Sequence, residues 1–324
     1  MKNAIHTITM IRLFAFILIL LPQLLIAQVT EADLETINDS TQVIANDSLV
    51  AEKKDSVIVV PELKVKLKPK MMQMPYFMGE MASGSKEVSH SLSIEYTAPN
   101  EIIDEETWFE KNKLQLPNYE VPNKYRGIKG NLPPGTPTEY KGNMLIQAIH
   151  SDEYNMLIYG EDFSSGRFLL ITNNEMTECL YLFDFANYMM SPVYMEQERM
   201  FVVQSLLWAQ IVNDTLYVSH SHKTYSNSSN GMNAYITAID LKTSEVIWRS
   251  KPLVCNTSNF ILYDDMIVSG YGFSKEKDYI YTLNKRTGVI AQKISVKAGP
   301  YYIVPKDGKF HIRTYNTDYI FKID

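Results

Sequence analysis

The stretch that decides the fold runs Ala238-Ile239-Asp240-Leu241-Lys242-Thr243-Ser244-Glu245-Val246-Ile247-Trp248-Arg249. Apolar residues lead into Asp240. An aspartate carboxylate accepts hydrogen bonds from backbone N–H groups two residues on, so Asp240 shapes a turn. Thr243 adds a second local bond. Ser244 stands where the turn calls for φ > 0, a position that suits glycine. Val246-Ile247-Trp248 then resumes an apolar, β-branched run. The segment therefore reads as two strands joined by a tight turn, and Trp248 projects from the second strand toward a neighbouring unit.

Working outward, residues 206–251 hold four strands, at 207–212, 215–220, 234–240 and 245–249. Asn213-Asp214 makes the first turn, and a polar Ser/Asn/Gly loop separates the middle pair. Four consecutive antiparallel strands in about 45 residues make one propeller blade. The unit recurs. Tyr281-Thr282-Leu283-Asn284-Lys285-Arg286-Thr287-Gly288-Val289-Ile290 follows the template and keeps the Thr-Gly, but Gln292 stands where Trp would. Asp264-Asp265-Met266-Ile267-Val268 repeats the turn and strand of residues 213–218, and Asp307-Gly308-Lys309-Phe310-His311-Ile312 repeats it again. Residues 145–150, 156–160, 168–172 and 179–183 sketch an earlier blade. The last repeat stops at a third strand, Tyr319-Ile320-Phe321-Lys322-Ile323, which leaves an open edge. A strand from the N-terminal side closes it on this reading, from residues 89–96 or from 57–67.

The spacing of Asp240, Thr243 and Trp248, repeated in part by Thr287 and Gly288, resembles the Ala-x-Asp-x-x-Thr-Gly-x-x-x-Trp signature of PQQ-like repeats, over residues 204–299. The resemblance implies an all-β fold, a β-propeller of four-stranded antiparallel blades. Residues 143–324 have room for about four units, and five or six fit if residues 71–142 contribute. An incomplete propeller that wraps another subunit is the other arrangement. The family includes quinoprotein dehydrogenases and a non-catalytic outer-membrane assembly scaffold. Its dehydrogenases need eight blades, a calcium site and a Trp that stacks on the cofactor. This chain is too short for eight blades, and of Trp108, Trp208 and Trp248 the last is committed to the blade motif. The resemblance implies the fold and no cofactor.

The N-terminus carries an address. Lys2 and Arg12 precede an apolar run at residues 13–26 that ends at Ala27-Gln28. Residues 1–27 have the layout of a secretory signal peptide. The run falls short of the about 20 apolar residues a membrane span needs, and an uncleaved anchor is the rival reading. No Cys lies at the junction, so a lipoprotein anchor is not expected. Residues 28–70 read as a flexible spacer, because acidic residues dominate residues 31–55 and aromatics are missing there. Asp39-Ser40, Asp47-Ser48 and Asp55-Ser56 recur at a step of eight residues. They resemble the O-glycosylation signal of exported Bacteroidetes proteins, which implies glycans on Ser40, Ser48 and Ser56, and also on Thr215 of Asp214-Thr215-Leu216. Polar linkers also carry Asp-Ser pairs without modification. Leu63, Val65 and Leu67 alternate with Lys64, Lys66 and Lys68, which predicts a strand with one charged face over residues 57–70. Residues 71–142 are irregular, with a strand expected at 88–97 and a short helix within 100–113, before Pro133, Pro134, Gly135 and Pro137 break the chain.

Chemistry is sparse. No nucleophile elbow, zinc-protease helix, Cys-x-x-Cys or phosphate loop occurs. The net charge of −6 argues against nucleic acid. His220 and His222 lie two apart, on one side of a strand, and with a third ligand such as His150 or His311 they could hold a metal. Two polar residues where a strand enters a solvated loop explain them as well. Cys179 and Cys255 read as separate buried thiols, with a bridge as the other option. The loop at residues 221–233 is rich in Ser and Asn, with Tyr217, Tyr225 and Tyr235 nearby, and long loops at a propeller face commonly bind partners. The functional expectation is an exported, non-enzymatic interaction or scaffold module with a protein partner in the periplasm or at the cell surface, and no membrane span after signal cleavage. A glycan-binding or glycan-processing propeller is the alternative, and a PQQ-dependent enzyme the remote one.

Overall fold

A computed structural model describes residues 63–73, 81–101, 104–162 and 164–324. The expected signal peptide at residues 1–27, Ser40, Ser48, Ser56 and the expected spacer as far as residue 62 lie outside these residues. Ahead of the repeats come β1 (Lys70–Met71), β2 (Leu92–Pro99), helix α1 (Glu105–Asn112), β3 (Asn118–Tyr119) and β4 (Glu139–Tyr140). The first blade is β5 (Asn143–His150), β6 (Tyr154–Gly160), β7 (Gly166–Asn173) and β8 (Cys179–Asp184). The second is β9 (Ser205–Val212), β10 (Thr215–Ser221), β11 (Tyr235–Asp240) and β12 (Val246–Arg249). The third is β13 (Ile261–Tyr263), β14 (Met266–Tyr271), β15 (Tyr279–Asn284) and β16 (Ile290–Ser295). β17 (Pro300–Lys306), β18 (Lys309–Thr314) and β19 (Thr317–Ile323) begin the fourth. Each blade is an antiparallel meander, so the fold is all-β and of the β-propeller type, with four blades among the described residues.

Inner strands read as continuous apolar runs because both faces are covered. β14, Met-Ile-Val-Ser-Gly-Tyr, is buried throughout, whereas outer β16 exposes Lys293 and Ser295. One core joins residues of the first three blades, including Trp208, Trp248, Phe260 and Leu283, and a second joins the third and fourth, including Met266, Ile280, Ile303 and Phe321. The tight turns carry the φ > 0 that two-residue hairpins demand, at Asn213 and Asp214 (48° and 57°) and at Asp307 and Gly308 (51° and 70°).

The N-terminal segment laces the blades together. Leu63 and Val65 pack on the first blade, and β1 runs parallel to β8. The N–H groups of Met81 and Ala82 donate to the Arg249 carbonyl at the end of the second blade. Residues 85–92 cross the turns of the third. Thr287 Oγ1 donates to the Ser85 carbonyl (2.7 Å), Asn284 Nδ2 donates to that of Glu87, and the Asp265 carboxylate accepts from Ser89 N and Oγ. β2 then pairs antiparallel with β19 as the fourth strand of the last blade. α1 lies against β17, and β3 pairs with β5 of the first blade.

Of the two closing segments expected, residues 89–96 overlap the strand that is used. Residues 63–69 form no strand, which corrects the reading of a lysine-lined strand there. The alternation holds only at its start, since Leu63 is buried, Val65 half-buried and Lys64 exposed, but Leu67 is exposed as well. The Leu63 N–H bonds the Gly135 carbonyl in place of a ladder partner. The flexible reading of residues 28–70 therefore stops short of residue 63.

Candidate functional site

The blade motif comes first because it positions everything else. Asp240 Oδ1 accepts from the N–H groups of Lys242 and Thr243, both at 2.8 Å, and these bonds, Thr243 first, hold its carboxyl below the usual range. Thr243 Oγ1 accepts from Glu245 N. In the third blade Asn284 Oδ1 accepts from Arg286 N and Thr287 N, and in the first Asn173 Oδ1 accepts from Thr177 N and Glu178 N. Asn173 ends the matching strand of the first blade but accepts from residues four and five on, in a longer turn than that of Asp240. Trp248 lies over Gly288 of the next blade, so close that a Cβ on Gly288 would sit 2.4 Å from its ring. Trp108, Trp208 and Trp248 are all at most 3% exposed. None offers a free face to a stacked quinone, so the residues present do not fit that cofactor.

Antiparallel strands reverse at every turn. The short turns therefore share one end of the blades, while the second-to-third connections share the other end with the links between blades. That second end carries residues 185–204, 222–234 and 272–278. The three are tied side by side. Met195 N donates to the Ser228 carbonyl, Ser228 Oγ donates to Glu198, and Ser226 donates to Glu276 through N (2.8 Å) and Oγ (3.0 Å). Tyr225 and Phe273 meet edge to face at 5.0 Å. Above this frame stand Val193, Met195, Met200 and Phe201, the last two 86% and 63% exposed.

Two clefts flank the loop at residues 272–278. One, of about 440 Å³, is lined by Tyr271, Glu276, Tyr279 and Lys293. Lys293 Nζ caps Tyr279 at 3.8 Å, and Glu276 accepts from the Tyr271 hydroxyl. Burial, then Glu276, keeps the Tyr271 phenol protonated far above its ordinary range. The other cleft, of about 430 Å³, is lined by Asp278, Lys275, Lys297, Gly299, Tyr301 and Tyr315. Burial, reinforced by the charge of Glu276, raises the Asp278 carboxyl to about 6. Sequence reasoning missed Asp278 altogether. Nothing local marks it, since Gly272 and Gly299 enclose it from separate connections.

His220 and His222 are core residues. His220 is buried between Tyr188 and Tyr235, with Nδ1 2.9 Å from Gln204 Oε1 and Nε2 3.2 Å from Thr237 Oγ1. Burial, then the charge of Arg249, lowers it to about 3. His222 Nε2 bonds Ser229 Oγ at 2.8 Å, and burial lowers it to about 4. His150 meets the Tyr119 ring at a tilt, 4.7 Å between centroids, on the first blade, and His311 lines a cleft beside α1 on the fourth. Among the described residues no group of three His, Cys, Asp or Glu is placed to hold a metal. Cys179 and Cys255 are free thiols. Tyr217 packs on Trp248, and Tyr235 lies under the buried Arg249 at 4.3 Å, so neither presents a ring to solvent. Thr215 opens β10, paired with Val212 and Asp240.

No family model and no curated protein matches the chain. Among solved structures it is similar to the computationally designed Ika4 protein, at 9% identity over 57% of this chain and 94% of that one, with a TM-score of 0.35. It is also similar to BamB from Moraxella catarrhalis (9%, 54% of this chain and 57% of that one, TM-score 0.30). A europium-containing methanol dehydrogenase is a further match (9%, 52% and 39%, TM-score 0.33). The chain spans less than two thirds of the latter two. At such scores the likeness carries no argument about activity or partner, and the fold rests on the strand pairings.

Proposed function

We propose that this is an exported, non-enzymatic β-propeller that docks a protein partner of the cell envelope through its long-loop end. The observation that carries the reading is the exposure of Met200 and Phe201 on connections already locked to one another through Ser226 and Ser228. Apolar side chains that cluster in water on a rigid frame lose little entropy on docking and gain from burial. At the long-loop end a hydrolytic reading is disfavoured by the placement of the carboxylates. Glycoside hydrolysis needs two in one cleft, and Glu276 and Asp278 open to different clefts. Export is supported by the charge and apolar run of residues 1–27.

A photo-crosslinker at position 201, used in intact cells, tests the docking. A discrete crosslinked protein is expected, and Met200→Asp should abolish it. The absence of any discrete product would overturn the reading. N-terminal sequencing of the protein from the envelope should find a chain that starts at Gln28.

A further inference from the structure

We propose that the cleft between the third and fourth blades, around Asp278, Tyr301 and Tyr315, binds a neutral saccharide. The site is separate from the apolar crown and does not depend on the docking function.

Three features define the chemistry. Asp278 lines the cleft half-buried, so its carboxylate offers a ligand an acceptor there. Gly272 and Gly299 wall this carboxylate. A Cβ on Gly272 would lie 2.1 Å from Oδ1, so the wall leaves no room for a side chain. At the rim stand Tyr301 and Tyr315, 39% and 51% exposed, with rings meeting edge to face at 6.4 Å. Lys275 and Lys297 complete the lining and offer donors of their own.

A cationic ligand would meet two lysines, and an anionic one would meet the Asp278 carboxylate. The ligand that suits every wall has hydroxyls that both donate and accept, together with an apolar face for a tyrosine ring. A pyranose is that ligand: its hydroxyls donate to Asp278 and accept from the lysines, and its C–H face lies on an aromatic. The volume of about 430 Å³ fits a small oligosaccharide. No bond is made or broken, because a single carboxylate lines the cleft.

The test is calorimetry with ligand-observed NMR on a panel of neutral di- to tetrasaccharides of gluco, galacto, manno and xylo configuration. At least one should bind saturably to the full chain. Tyr315→Ala and Asp278→Asn should each weaken it about tenfold or more. Met200→Asp should leave saccharide binding unchanged while it abolishes crosslinking at position 201, so the two proposals fail separately. Asp278→Asn is sterically conservative, which keeps loss of binding distinct from loss of fold. No saturable binding across the panel, or binding that survives both substitutions, would overturn the proposal.

Discussion

Gly288 shows how one missing Cβ links two blades. It holds φ at 72° and gives up its side-chain space to Trp248. Gly288→Ala should cost about 2–4 kcal/mol, from left-handed strain plus the clash. Denaturant melts, with a red shift of tryptophan emission, read it. Ser244 takes the same backbone pose at φ 60° without glycine's freedom, so Ser244→Gly should stabilise by about 0.5–1 kcal/mol. Two residues impose opposite pH slopes. His220 is lowered to about 3 in the fold, so below pH 6.5 the unfolded chain takes up a proton that the native state refuses. Stability therefore falls as the pH drops, by on the order of 2 kcal/mol at pH 5 from this residue. Asp278 is raised to about 6, so the native state keeps its proton above pH 3.8 while the unfolded chain loses it. That cost is absent below pH 3.8, grows toward pH 6 and stays constant above. Asp278→Asn should therefore stabilise at pH 7 by about 1 kcal/mol, allowing for solvent screening at a partly exposed site, and change little at pH 4. Paired urea melts at the two pH values check the sign.

At the scale of elements, Gln292 explains why the blade motif degenerates. Trp248 of the second blade packs on the third, but Gln292 stands at the matching place in the third blade and does something else. Its side-chain amide receives the Leu92 N–H at 2.9 Å and donates to the Leu92 carbonyl at 2.8 Å, clamping the start of β2 as a strand neighbour would. Gln292→Ala should cost about 1–3 kcal/mol and raise hydrogen exchange across Leu92–Pro99 more than in β18. The blades were legible in the sequence because their turns are written locally: Asp240 with Thr243, Asn284 with Thr287, Asn213 with Asp214. Strand β2 was legible as a strand and as one of two segments that could close the last blade. Its competitor, residues 57–67, had the cleaner alternation, and only long-range partners, Gln292 and Asp265, decide between them. The clefts were not legible. Gly272, Asp278 and Gly299 come together through the packing of two blades, and no spacing announces that. The histidine pair was visible but its partners Gln204, Thr237 and Ser229 were not, so a ligand reading stood open that the fold fills with core hydrogen bonds.

Across the whole molecule, the N-terminal segment converts a linear series of blades into a cooperative body. A run of blades in which each touches only its neighbours would unfold piecewise, from the ends inward. Here residues 63–72 hold the first blade, residues 81–82 the second, residues 85–91 the third, and β2 completes the fourth. Residues 105–119 then return from β17 to β5, so the last blade is tied back to the first, and Leu116 packs against both the core of the first three blades and the cluster under α1. Loss of any blade thus strains contacts in the others, which predicts a single calorimetric transition for the intact protein. Beside the bonds of Thr287 to Ser85, Asn284 to Glu87 and His90 to Asp264, two side-chain ties hold this segment to the third blade: the Asp265 carboxylate on Ser89 and the Gln292 amide on Leu92. Cutting both, in Asp265→Ala with Gln292→Ala, removes about 2–4 kcal/mol of coupling. The fourth blade should then melt ahead of the rest, with an early transition roughly 5 °C or more below the main one. A double variant that still unfolds in one step at the native temperature would mean that these two ties do not carry the cooperativity, which then rests on the remaining lacing bonds and on blade-to-blade packing.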